Sequence, residues 1–200
     1  MTTPEEEDRA ARDAGVTAML PLVAASGWNA SVIAAGLRAS GRAEAEAAQL
    51  FPRGALSAIA AWRDLKDRRM AEAAGDLSGL RTPGRIRALV AARLALIAPH
   101  KAAARRAASL LALPWNAPAA LRCAAQTADA IWVAAGDASD DLSRYTRRAT
   151  LAAILAATLA YFLRDDSADT GPALAFLDRR LADLARLQRP RRPRPKPEAA

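Results

Sequence analysis

The sharpest pair of chemically capable residues in this 200-residue chain is Arg147-Arg148. Two adjacent guanidinium groups in the first turns of a largely apolar helix can grip a phosphate or a carboxylate through paired N–H donors. Salt bridges to Asp129, Asp137 or Asp141 are the alternative use of Arg148, and the sequence leaves both open. The rest of the inventory points away from catalysis. His100 is the one histidine and Cys123 the one cysteine, and no glutamate occurs between Glu72 and Glu198. A helix-borne carboxylate–histidine metal site therefore cannot be assembled, and a Ser-His-Asp triad has no local support. The glycines form neither a GxGxxG turn nor a phosphate loop, so a nucleotide has no seat. His100 follows Pro99 at a helix start, where an imidazole usually bonds backbone or solvent, and Cys123 reads as a small helix residue. The expectation is a non-enzyme with no metal and no resident cofactor.

These residues need a scaffold, and composition indicates its class. The chain is 52% hydrophobic but only 4% aromatic, and alanine dominates, which favours close-packed helices over strands. The fold class is all-α: about nine helices in a single domain over residues 1–188, followed by a disordered Pro/Arg tail over 189–200. Thr3-Pro4-Glu5-Glu6 is a capping box that opens a first helix, which Pro21 kinks or ends and Gly27 closes. Two short helices come next, near 31–38 and 42–50, giving a head that resembles a helix-turn-helix. Residues 55–74 form another helix, with Leu56, Ile59, Leu65 and Met70 along it. Thr82-Pro83 starts a fifth that lines up Ile86, Leu89, Val90, Arg93, Leu94 and Ile97 before Pro99 breaks it. A helix over 101–111 leads to a rigid connector, in which Asn116 can cap the helix beginning there. In that helix Leu121, Ala124, Ala125, Ala128, Ile131, Trp132 and Ala135 keep helical spacing, and Gly136 ends it. Asp140 or Asp141 can start the long helix that runs to residue 163. A last helix over 172–187 carries Leu174, Leu177, Leu181 and Leu184. The apolar run 149–163 is shorter than the ~20 residues that cross a bilayer and reads as a buried helix. One cysteine and the lack of a signal-peptide pattern suggest a reducing, cytoplasmic setting.

The net charge of +8 is unevenly placed. Residues 1–50 hold seven acids against four bases, whereas residues 189–200 hold five bases against Glu198. Phosphate contacts require basic residues on a DNA-reading head, so an acidic head argues against specific DNA binding. Prolines recurring every two or three residues keep the tail out of any helix. Its uses are a solubilising end or an anchor to an anionic membrane surface.

Residues 135–151, AGDASDDLSRYTRRATL, carry a family resemblance together with Ala112-Leu113-Pro114-Trp115-Asn116-Ala117-Pro118, Thr127-Ala128-Asp129-Ala130-Ile131-Trp132 and Phe176-Leu177-Asp178-Arg179-Arg180. Ser26-Gly27-Trp28, Leu50-Phe51-Pro52-Arg53-Gly54 and Asp67-Arg68-Arg69-Met70 extend it over residues 12–187. The chain resembles the coenzyme Q nine family of ubiquinone biosynthesis accessory proteins. That resemblance implies a TetR-regulator-like helical fold, usually dimeric, without DNA binding. It also implies an apolar cavity for isoprenoid quinone or phospholipid, presentation of that lipid to the demethoxyubiquinone hydroxylase, and peripheral association with the inner membrane. By resemblance Arg148 matches a position that contacts a phospholipid head group, and the segment containing Asp141, Arg144 and Tyr145 faces the hydroxylase. The family's Phe-Asn-Trp-Tyr is Leu142-Ser143-Arg144-Tyr145 here, so Arg144 replaces the docking aromatic. Trp132, Ile154, Leu155, Leu159, Tyr161 and Phe162 are the candidate lipid-contacting side chains, with plain core packing as their alternative. A TetR-type ligand-sensing regulator is the second functional reading.

Overall fold

The computed structural model describes residues 3–137, 143–167 and 169–187, and every regular element among them is helical. Helix α1 (Pro4–Ser26) opens on the expected capping box: Thr3 Oγ1 accepts from the Glu6 N–H at 3.3 Å, and Glu6 accepts from the Thr3 N–H at 2.8 Å. Pro21 sits inside α1 without ending it, and the helix runs on to Gly27, whose φ of 78° suits glycine. Helix α2 (Ala30–Ala39) is capped by Asn29, which accepts from the Val32 N–H at 3.0 Å. It crosses α1 where two glycines meet: a Cβ on Gly36 would lie 2.9 Å from the Gly15 carbonyl oxygen and collide with Met19. A short 3-10 turn (Glu44–Glu46) and α3 (Ala47–Leu50) complete the head.

The body comprises α4 (Ala55–Ala73), α5 (Thr82–Ile97), α6 (Lys101–Leu111), α7 (Ala117–Ala134), α8 (Ser143–Arg164) and α9 (Gly171–Leu187). Helix α4 packs on α1, α5 and α7, α8 lies against α7 and α9, and α6 touches α1, α7 and α8. Ala103, Ala104 and Ala107 are buried and let α6 approach its neighbours closely. The same helix ties head to body through backbone carbonyls that helix ends leave open. Arg106 donates to Ala24 O at 3.1 Å and Ala25 O at 2.9 Å, at the end of α1. Arg105 donates to Leu163 O at 2.7 Å and Asp165 O at 2.9 Å, at the end of α8. Trp28 of the head donates its indole N–H to Ala103 O at 3.1 Å and lies 5.6 Å from the Trp62 ring.

Pro99 breaks the helix as expected, sitting in a single 3-10 turn (Ala98–His100) between α5 and α6, at a start position where its missing N–H costs nothing. Two local expectations are corrected. Asn116 does not cap α7 through its side chain; its amide instead donates to Leu110 O at 2.8 Å and closes the end of α6. Helix α7 buries Ala128, Ile131 and Ala135 of the predicted stripe, but Leu121 is 72% exposed and Ala125 is exposed, while Ala119 and Thr127, outside that stripe, are buried. Alanine surrounds α7 so evenly that neighbouring helices, rather than its own pattern, set which face is buried. The expected helix start at Asp140 or Asp141 and the tail lie outside the described residues.

Candidate functional site

Alanines on three facing helices leave space in the body. An apolar cavity of about 280 Å³ is bounded by Ala104, Ala107 and Ala108 of α6, Ala120, Cys123 and Ala124 of α7, and Ala152, Leu155, Ala156, Leu159 and Leu163 of α8. Helices α4 and α5 close it with Ile59, Trp62, Val90, Leu94 and Ile97. Its size is near the lower end of the ~300–1,000 Å³ common for small-molecule sites.

One wall is charged. Arg63, Lys66, Arg93 and Thr127 line the same cavity, and Arg63, Arg93 and Thr127 all bond to Asp67 behind that wall. The Asp67 carboxylate accepts from Arg93 Nε at 2.8 Å on one oxygen, and from Arg63 at 2.8 Å and Thr127 Oγ1 at 2.9 Å on the other. Arg93 also donates to Thr127 Oγ1 at 3.3 Å. Lys66 is only 9% exposed, and its Nζ stands 3.4 Å from the centre of the Trp62 ring. Burial, reinforced by Arg93 and Arg63, holds the Lys66 amine well below its ordinary range, against a smaller upward pull from Asp67. Burial also raises the Cys123 thiol, and burial followed by the Lys66 charge lowers His100. The Arg63 Nε is buried without a hydrogen-bond partner.

The structure divides the sequence-predicted residues. Leu155 and Leu159 line the cavity; Ile154 and Trp132 are partly buried against the core and are not part of its wall. Phe162 is 1% exposed, packed in the core beneath Lys101 Nζ at 4.0 Å. Tyr161 is 39% exposed and stacks on Phe176 at 5.0 Å, away from the cavity. Arg148 takes up its salt-bridge alternative, with Asp129 at 2.5 Å and Asp137 at 3.5 Å. Arg147 lies 3.8 Å from Asp137 and over the Trp132 ring at 5.8 Å. Tyr145 is 73% exposed and borders a surface groove with Arg148, Asp129 and Val133. Asp141 and the Arg144 side chain lie outside the described residues.

Sequence reasoning missed Arg63, Lys66, Asp67 and Thr127, although a signal existed. Arg93 interrupts an otherwise apolar stripe on α5, and Lys66 falls between Ile59, Trp62 and Met70 at helical spacing. A charge on a buried stripe asks for a buried partner. Among the described residues, no group of three or more His, Cys, Asp or Glu is placed to hold a metal ion, and no helix is long and apolar enough to cross a membrane.

Comparison with known proteins adds a second line of observation. Residues 117–188 match the sequence model of a family described as COQ9. Over 177 residues the chain is 33% identical to the mitochondrial ubiquinone biosynthesis protein COQ9 of Homo sapiens, covering 84% of this chain and 55% of that protein. The Drosophila melanogaster protein of the same name is 38% identical over 96 residues, covering 48% of this chain and 29% of its own. The chain thus spans about half the length of the first curated relatives it matches. A solved TetR transcriptional regulator from Nitrosomonas europaea superposes with a TM-score of 0.67 at 26% identity, covering 87% of this chain and 97% of that one. The all-α architecture is TetR-like.

Proposed function

On the premise that this chain is a relative of the COQ9 proteins, we propose that it is a non-catalytic accessory protein of ubiquinone biosynthesis that binds lipid. Its ligand is an isoprenoid quinone intermediate or a phospholipid, held in the cavity between α4 and α8 and presented to the demethoxyubiquinone hydroxylase. The observation that carries this reading is the cavity itself, an apolar space walled by alanine and leucine in a chain with this relationship. At about 280 Å³ it would enclose one end of a long lipid and leave the remainder outside. Tyr145, exposed beside a surface groove, is suited to an interface in which aromatic and arginine anchors carry most of the energy. Asp141 and Arg144 are the further docking residues in this reading, and Arg147 and Arg148 would meet a lipid head group only by exchanging it for Asp137 and Asp129. The basic tail supports peripheral attachment to anionic inner-membrane surface, and the assembly is taken to be a homodimer. Lipid extraction and mass spectrometry of gently purified protein test the proposal. Quinone or phospholipid near one per chain is the expected result, and a folded, lipid-free protein contradicts it.

The likeness to a TetR regulator over nearly all of that structure favours a second reading, a ligand-sensing transcriptional regulator. Seven acids against four bases on the head oppose it. A sequence-specific DNA footprint that survives deletion of residues 189–200 would establish this reading in place of the first.

A further inference from the structure

The charged wall of the cavity holds three cations, Arg63, Lys66 and Arg93, and two of them, Arg63 and Arg93, pair with one carboxylate behind it, Asp67. Both Asp67 oxygens are already taken, one by Arg93 and the other by Arg63 and Thr127. Among the described residues Lys66 has no carboxylate at ion-pair distance; its close contact is the Trp62 face at 3.4 Å. A buried ammonium without an anion is costly, and so is the excess positive charge around it. On α8 the lining is Leu155, Leu159, Leu163 and alanines, with Thr158, whose hydroxyl already donates to Ile154 O at 2.8 Å. A hydrocarbon slot that reaches a buried amine, whose neighbouring carboxylate is already committed to Arg93, Arg63 and Thr127, is complementary to one kind of molecule.

We propose that Lys66, flanked by Arg93 and Arg63, receives the carboxylate head of a single-chain amphiphile whose tail fills the alanine-lined cavity. The inference rests on the reading above that this cavity holds lipid, and names for it a further ligand class, a single-chain carboxylate, besides quinone and phospholipid. Removal from water and the neighbouring guanidiniums favour loss of a proton from the amine when the cavity is empty. An entering carboxylate reverses that balance, so binding draws a proton onto Lys66 and forms an ammonium–carboxylate pair. The groups facing Lys66 are Asp67 and Arg63 on α4, Arg93 on α5, Cys123 on α7 and His100 on the turn before α6. None of them supplies a second carboxylate.

The test compares dodecanoate with dodecanol by isothermal titration of the full, delipidated chain, near neutral pH, in two buffers of different ionisation enthalpy. Dodecanoate is expected to bind about tenfold or more tighter than dodecanol, with proton uptake, because a charge-assisted hydrogen bond distinguishes them. Lys66→Met, which keeps the apolar stem, is expected to bind both with equal affinity and without proton uptake. Wild type that binds both ligands equally or takes up no proton overturns the head-group assignment and leaves the lipid cavity standing. Full preference retained in Lys66→Met overturns it likewise. Binding of neither ligand by a folded wild-type chain overturns the head-group assignment, and the lipid extraction above decides the lipid reading separately.

Discussion

Asp67→Asn perturbs the carboxylate that holds Arg63, Arg93 and Thr127 of the cavity's charged wall. The side chain of Asp67 is 4% exposed, and its partners Arg93 and Arg63 are 11% and 13% exposed. Asparagine keeps the shape but removes the negative charge and turns one acceptor oxygen into a donor facing an arginine or Thr127. Breaking a buried ion pair by removing one partner costs ~3–5 kcal/mol. For a chain of this size each kcal/mol moves the melting temperature by ~2–4 °C, so a drop of ~6–20 °C is expected. Thermal and urea melts tracked by far-UV circular dichroism measure it. Asp64→Asn is the control on the same helix: Asp64 pairs with Arg68 at 3.1 Å, but the two are 46% and 40% exposed. Exposed pairs contribute ~0–1 kcal/mol, so the control should melt close to wild type. If Asp67→Asn is no worse than Asp64→Asn, Asp67 does not organise the arginines, and the charged wall is not held together as described.

Lys66→Met should raise stability most at low pH, with a gain that shrinks as pH rises. A lysine whose pKa is depressed on folding binds fewer protons folded than unfolded, so wild-type stability rises with pH from that depressed value up to the ordinary 10.5, and the penalty is complete below the depressed value; urea midpoints against pH should show this slope in wild type and a flatter one in the variant. Gly36→Ala should destabilise by ~1–3 kcal/mol through overpacking against Met19 and the Gly15 carbonyl, read as a lower urea midpoint with unchanged slope. The tail should add salt-labile affinity for anionic vesicles, up to ~1 kcal/mol per base at low salt, so co-sedimentation of a chain ending at Gln188 should fall below that of the full chain. Tyr145→Ala and Arg144→Glu should each weaken pull-down of the cognate hydroxylase, and with Tyr145 73% exposed its variant should keep wild-type helicity.

Much of the fold was legible because its signals are local. The Thr3–Glu6 capping box, the glycine that ends α1, and the leucine stripe that buries Leu177 on α9 all appear as the sequence implies. The site was less legible. Leu155 and Leu159 reach the cavity whereas Phe162 and Tyr161, on the same helix, do not, because a helix carries apolar residues on more than one face and its neighbours decide which face meets space. Asn116 stands at the start of α7, yet it bonds back to α6, a choice fixed by the tight turn between those helices. The buried charges were the larger omission. Lys66 and Arg93 each fall on an apolar stripe with no partner in view along the chain, and only the meeting of α4 with α5 and α7 makes them a cluster with Asp67. Arg148 had two uses on sequence, and its neighbours Asp129 and Asp137 supply the second.

Lipid retention by a cavity-filled variant is the decisive measurement for a lipid held between these helices. Ala107 and Ala124 both line the cavity, and replacing both with leucine would occupy much of its space while leaving the surface groove and the tail untouched. Lipid per chain is measured by mass spectrometry after identical purification of wild type and variant, with circular dichroism to verify the fold. Near-stoichiometric quinone or phospholipid is expected in wild type and little in the folded variant. Equal lipid in both would place the bound lipid elsewhere on the protein and contradict the assignment of the cavity as its site.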